Sequence, residues 1–123
     1  MDTTVIIVSY KSEHLIEQNI RSYDKNTKII IIENSEDQLL KNKIEKKYKN
    51  VEVILNKNSG FGQAANLGAK LAKTKNIFFC SPDNFSEKDT INKLENLSND
   101  LKDKFGILIL SDENECPKNI QQV

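Results

Sequence analysis

The sequence predicts an α/β protein, a Rossmann-like α/β/α sandwich built on a parallel five-stranded sheet. Five short apolar runs, Val5–Val8, Lys28–Ile32, Val51–Leu55, Ile77–Cys80 and Phe105–Leu110, are rich in Ile, Val and Phe and too short for helices. They are nearly continuous rather than alternating, the pattern of strands covered on both faces. Helix-period stripes lie between them. The strict alternation calls for parallel strands joined by right-handed crossovers. The unusual residues, glycines and small polar side chains, gather just after the strands, at the carboxyl edge where open sheets of this kind bind ligands.

Each element has its own signal. The first strand hands over to Ser9-Tyr10-Lys11, and a stripe of Leu15, Ile16, Asn19, Ile20 and Tyr23 predicts the first helix. The second strand ends in Glu33-Asn34-Ser35. Ser35 with Gln38 reads as a capping pair that starts a second helix, carried by Leu40, Ile44 and Tyr48. After the third strand comes Asn56 to Gly62, then a stripe of Phe61, Ala64, Ala65, Gly68, Leu71 and Ala72, whose small members permit close packing on a sheet. The fourth strand is followed by Ser81-Pro82-Asp83-Asn84. Ser86 with Asp89 reads as the cap of a fourth helix carrying Ile91, Leu94, Leu97 and Leu101. The expected strand order is 3-2-1-4-5. Residues 1–110 form one domain, and 111–123 have no apolar periodicity and read as an irregular tail.

Composition excludes several classes. Eighteen basic and eighteen acidic residues cancel within 123, and no basic field marks a nucleic-acid partner. The lysines of the second helix, Lys41, Lys43, Lys46, Lys47 and Lys49, read as a solvated face. No apolar run approaches a membrane span, and the N-terminus does not have the form of a signal peptide. Cys80 and Cys116 lack metal-ligand spacing and do not form a disulfide framework, which fits a reducing cytoplasm. His14, the single histidine, reads as a surface residue, and no Ser-His-Asp or Cys-His arrangement is present.

Three groups of residues have chemistry to offer, each with a structural alternative. Asp83 follows a strand and a proline that stiffens its presentation. It can hold Mg²⁺ or Mn²⁺ while diphosphate oxygens complete the shell, or it can simply start a turn. Glu33 and Asn34 can bond a pyrimidine edge and a ribose, or lead into a helix cap. Asn58, Gly60, Gly62, Asn66 and Gly68 let backbone approach a ligand at a helix start, or serve only helix-sheet packing. The segment is neither a P-loop nor a dinucleotide fingerprint.

As a set, these positions resemble the family 2 glycosyltransferases of the GT-A fold, particularly the rhamnosyltransferase-like branch. The resemblance rests on Val8-Ser9-Tyr10-Lys11, Ile32-Glu33-Asn34-Ser35, Asn58-Ser59-Gly60-Phe61 through Asn66-Leu67-Gly68, and Ser81-Pro82-Asp83, in that order. It spans Thr4 to about Leu110 and implies a partial GT-A fold. It further implies that Ser9 and Tyr10 flank the base of a UDP- or dTDP-sugar and that Glu33, with Asn34 beside it, bonds the base's imide edge. Asn58, Gly60, Phe61, Gly62 and Asn66 would line the nucleotide and sugar pocket, and Asp83 would hold Mg²⁺ or Mn²⁺ on the diphosphate. Glu33 stands where the family has Asp, and Ser81 where it has Asp or Asn. The family's acceptor half, which carries the general base, follows the matched region, so no catalytic residue is assigned. The expected function is therefore the donor half of a sugar transferase for polysaccharide or glycan synthesis, inactive in transfer by itself. The alternative is a non-catalytic nucleotide or nucleotide-sugar binding module. A receiver-like domain would need paired acids after the first strand, where Ser9-Tyr10-Lys11 stands.

Overall fold

The computed structural model describes residues 2–58, 60–83 and 89–101. Strands and helices alternate: β1 (Thr3–Ser9), α1 (Glu13–Arg21), β2 (Lys28–Glu33), α2 (Gln38–Lys47), β3 (Val51–Leu55), α3 (Phe61–Leu71), β4 (Asn76–Cys80) and α4 (Thr90–Leu101). The four strands form one sheet in the order β3-β2-β1-β4, with every pairing parallel. This is the predicted order for strands one to four. The predicted fifth strand, Phe105–Leu110, the Ser86 cap and the 111–123 tail lie outside the described residues.

Branched Ile and Val fill the central strands, where stiff side chains suit a pleated surface packed on both sides. One face of the sheet carries Val5, Ile7, Ile29, Ile31, Val51, Val53 and Cys80. These pack with Ile16 and Ile20 of α1, Leu40 and Ile44 of α2, and Ile91 of α4. The other face carries Ile6, Ile30 and Ile32 under Ala64 of α3, with Val8, Ile54 and Leu67 at the margin. Small residues bring α3 close. A Cβ on Gly68 would meet Ile6 Cγ2 at 2.5 Å, a separation that packed carbons do not adopt.

Three expectations are corrected by tertiary context. The first concerns burial on β4, where Ile77 and Phe79 are exposed while Phe78 and Cys80 pack inward. Alternate residues face opposite sides of a strand, and α3 packs over β1 and β2 rather than over β4. The second concerns the α3 stripe, whose outer members Phe61 and Leu71 are exposed. The third concerns the start of α2. Its N-cap is Asp37, whose side chain accepts from the Leu40 N–H at 3.0 Å. The hydroxyl of Ser35 instead donates to Glu33 Oε1 at 2.6 Å. Glu33 thereby takes the expected capping group, and the helix begins with the next residue able to cap it.

Candidate functional site

Parallel pairing brings all four strand ends to one edge. Ser9 stands opposite Glu33 in the β1–β2 register, and Glu33 opposite Leu55. The ladder continues past the strands: the Asn34 N–H donates to the Ser9 carbonyl at 2.7 Å and the Asn56 N–H to the Glu33 carbonyl at 2.9 Å. Ser35 and Lys57 then form an isolated antiparallel bridge that ties the loop after β2 to the loop after β3.

Side chains lock the same junction. Asn56 Nδ2 donates to Asn34 Oδ1 at 2.9 Å and to Gln63 Oε1 at 3.1 Å, linking both loops to the first turn of α3. Glu33 is 1% exposed. Its Oε2 accepts from the N–H groups of Ser35 (3.1 Å) and Asp37 (2.8 Å), and its Oε1 from the Ser35 hydroxyl. The carboxylate thus shapes its own loop. Asn34 is buried as well, with its amide oxygen directed at Asn56.

Ser9 is fully buried, and among the described residues its hydroxyl has no hydrogen-bond partner. Tyr10, 48% exposed, stands beside it at the edge with the Lys11 ammonium 5.2 Å from its ring centroid. Lys11 has φ 53°, a left-handed conformation uncommon for a residue with a side chain. The chain therefore turns sharply where it leaves β1.

Gly60 caps α3 with φ 94° and ψ 166°, a region that essentially only glycine occupies. Its N–H donates to Asn58 Oδ1 at 3.3 Å. With no side chain at the cap, the first-turn N–H groups of α3 lack the usual side-chain acceptor. Phe61 projects beside them, 59% exposed. A Cβ on Gly62 would meet nothing within 4 Å. Asn66 lies exposed one turn further along α3.

Asp83 is exposed in the turn that follows β4, beyond the same carboxyl edge. Buried Asn19 of α1 reaches this turn. Its Nδ2 donates to the carbonyls of Ser81 (3.2 Å) and Pro82 (3.0 Å). Asn19 and Asn56 were not singled out as site residues from sequence. The available signal for Asn19 was a polar side chain inside an otherwise apolar helical stripe.

A metal site can be judged from this donor set. Among the described residues, no cluster of three or more His, Cys, Asp or Glu could hold an ion. A single exposed carboxylate fits a divalent cation only where phosphate oxygens and water supply the other ligands, the mode Mg²⁺ favours. Asp83 fits that mode and not a protein-only cage.

A polar groove between α1 and α2, lined by His14, Glu17, Arg21, Lys43 and Lys47, includes none of the residues from Asn58 to Asp83. Its charges pair with one another. Lys47 and the Tyr48 hydroxyl bond Glu17 at 2.6 and 2.9 Å and hold its carboxyl well below the usual 4.5, at about 2.

The four-stranded parallel sheet, with helices on both faces and polar residues at its carboxyl edge, is an α/β architecture of the Rossmann-like GT-A kind. The profile described as Glycosyl transferase family 2 matches residues 4–111, and the chain belongs to that family. Comparison with curated proteins finds no significant match. Among solved structures, S. aureus TarS residues 1–349 superpose with a TM-score of 0.69 at 24% identity, covering 81% of this chain and 33% of that 1–349 chain. The same protein in complex with UDP-GlcNAc gives 0.69 at 23%, and in complex with UDP 0.64 at 19%, each covering 81% of this chain and 32% of the other. These likenesses establish the fold, and the chain spans about a third of the length of those structures. Among the described residues, no helix is long and apolar enough to cross a membrane.

Proposed function

We propose that the chain binds the nucleoside-diphosphate part of a sugar donor at the carboxyl edge of its sheet, as the donor-binding portion of a sugar transferase. The observation that carries the reading is that the uncapped α3 start at Gly60 and the Asp83 turn both follow strands at the carboxyl edge of one parallel sheet. One offers N–H groups and a positive helix end to phosphate. The other offers a carboxylate for a Mg²⁺ or Mn²⁺ that shares the phosphate oxygens. Family membership and the UDP-GlcNAc and UDP complexes of TarS support the same ligand class. UDP- and dTDP-sugars both fit, since their bases share the imide edge.

In this reading Tyr10 supplies an apolar face for the base, and the buried Ser9 hydroxyl a polar group beside it. Glu33 acts mainly by holding the loop from Asn34 to Asp37 in shape and adds an imide contact only through a free lone pair. Asn58, Gly60, Phe61, Gly62 and Asn66 line the phosphate and sugar side. A bound cation neutralises charge developing on the leaving diphosphate. The chain's own residues bind and orient the donor. None is assigned to deprotonate an acceptor, so slow donor hydrolysis is the most activity expected of it. The product class is polysaccharide or glycan, and the compartment is the cytoplasm.

Calorimetry with UDP, in Mn²⁺ and in EDTA, tests the proposal. Binding that tightens with Mn²⁺ is expected. Equal binding in both conditions would remove Asp83 from its role, and no binding in either would refute nucleotide recognition.

A further inference from the structure

We propose that Asn19 is the positioning residue of the Asp83 turn. Through one buried amide on α1, it sets where the carboxylate stands relative to the sheet edge. The proposal rests on the reading of Asp83 given above.

Asn19 is fully buried between Ile16 and Ile20, both of which are locked in the core. Burying an amide among apolar side chains is unfavourable unless hydrogen bonds compensate. For packing alone, an aliphatic residue would serve this face of α1 better. The amide nitrogen instead donates to two consecutive carbonyls, Ser81 at 3.2 Å and Pro82 at 3.0 Å, and lies 3.9 Å from the Cys80 sulfur. These contacts act where the chain leaves β4. The ring of Pro82 fixes one torsion there. Directing the carbonyls of Ser81 and Pro82 at one point fixes ψ of both residues, on either side of the proline's φ, so the path into Asp83 is set by α1 rather than by the turn's own sequence. This compensates for a feature of the motif itself. Ser81 stands where the resemblance leads one to expect an acidic or amide residue, so a single carboxylate must be placed by other means. Asn19 touches neither metal nor nucleotide, and its effect on them passes through Asp83.

The test uses the full chain with Asn19→Leu, Asn19→Ser and Asp83→Asn. Asn19→Leu fills the volume without a donor, and Asn19→Ser keeps one donor if the Leu variant does not fold. Two readouts are taken. One is the backbone ¹⁵N order parameter of Asp83 in the ligand-free chain. The other is the UDP dissociation constant in Mn²⁺ and in EDTA. Loss of both carbonyl contacts should lower the Asp83 order parameter from the rigid range, about 0.85, to below about 0.6. UDP affinity in EDTA should match the unmutated chain, while the tightening by Mn²⁺ should disappear, as in Asp83→Asn; Asn19→Ser should keep part of it. A folded Asn19 variant with an unchanged Asp83 order parameter overturns the proposal. So does one that keeps the full Mn²⁺ effect while Asp83→Asn loses it. If the unmutated chain does not bind UDP, the functional reading fails by itself, and the order parameter alone decides the role of Asn19.

Discussion

Replacing Gly68 by Ala tests the close packing of α3 on the sheet. The added methyl would lie 2.5 Å from Ile6 Cγ2, with Ile6 Cδ1 at 3.4 Å and Ile32 Cγ1 at 3.5 Å. Ile6 and Ile32 are fully buried, so neither can swing into solvent to make room. Two effects oppose one another. Ala is favoured over Gly in a helix interior by about 1 kcal/mol. Overpacking a closed core costs about 1–3 kcal/mol. A contact a full ångström inside van der Waals distance lies toward the upper part of that range, so a net loss of about 1–2 kcal/mol is expected. With a urea slope of about 2 kcal/mol per molar, the middle of the usual range for small domains, the midpoint should fall by roughly 0.5–1 M at unchanged slope. Gly62→Ala is the control. It adds the same methyl to the same helix where nothing lies within 4 Å, and should be neutral or slightly stabilising. Ile6→Ala alone should cost about 2–5 kcal/mol by leaving a cavity. Adding Gly68→Ala to it should cost less than in the native background, because the clashing Cγ2 is gone. A Gly68→Ala chain at least as stable as the native one would refute the packing argument.

Glu33→Gln should destabilise the fold by about 1–3 kcal/mol in urea unfolding, since an amide NH₂ would confront a donor now satisfied by the carboxylate. Weakened UDP binding at undiminished stability would instead mark Glu33 as chiefly a ligand contact. Glu17→Gln addresses pH. The Glu17 carboxyl is lowered from 4.5 to about 2, chiefly by its hydrogen bond from Lys47 and then by Tyr48. Its contribution is therefore complete above pH 4.5 and is lost as pH falls through about 2. As a largely exposed surface network it contributes no more than about 1 kcal/mol. Thermal melts at pH 7 should separate native and variant chains by that small amount, and melts near pH 2 should not. A gap that widens on acidification would contradict the assignment.

The sheet and its order were legible because branched apolar runs and helical stripes alternate without interruption, and each central strand is covered on both faces. Local reading failed where a distant group intervened. Ser35 has every property of a helix cap, yet the buried carboxylate of Glu33 competes for its hydroxyl and Asp37 takes the cap. Phe78 and Phe79 look alike in sequence, but among the described residues only Phe78 packs into the core under the helices. Gly68 stood out from sequence as a close-packing residue, whereas its partner, Ile6, is a tertiary fact. The candidate site was legible as an edge, because strand-end residues of a parallel sheet share one side whatever their identity. The contacts that stiffen it, Asn56 to Asn34 and Gln63, and Asn19 to the Ser81-Pro82 carbonyls, span 22, 7, 62 and 63 residues of sequence. Most of these are beyond the reach of any local pattern.

The proposed function places a nucleoside diphosphate at the carboxyl edge of the sheet. Amide chemical-shift mapping of the labelled chain, titrated with UDP in the presence of Mg²⁺, tests it most directly. Shifts are expected to concentrate at Ser9, Tyr10, Asn58, Gly60, Phe61, Gly62 and Asp83, with the Asp83 shift lost in EDTA. Shifts confined to the groove between α1 and α2, at His14, Lys43 and Lys47, would contradict it.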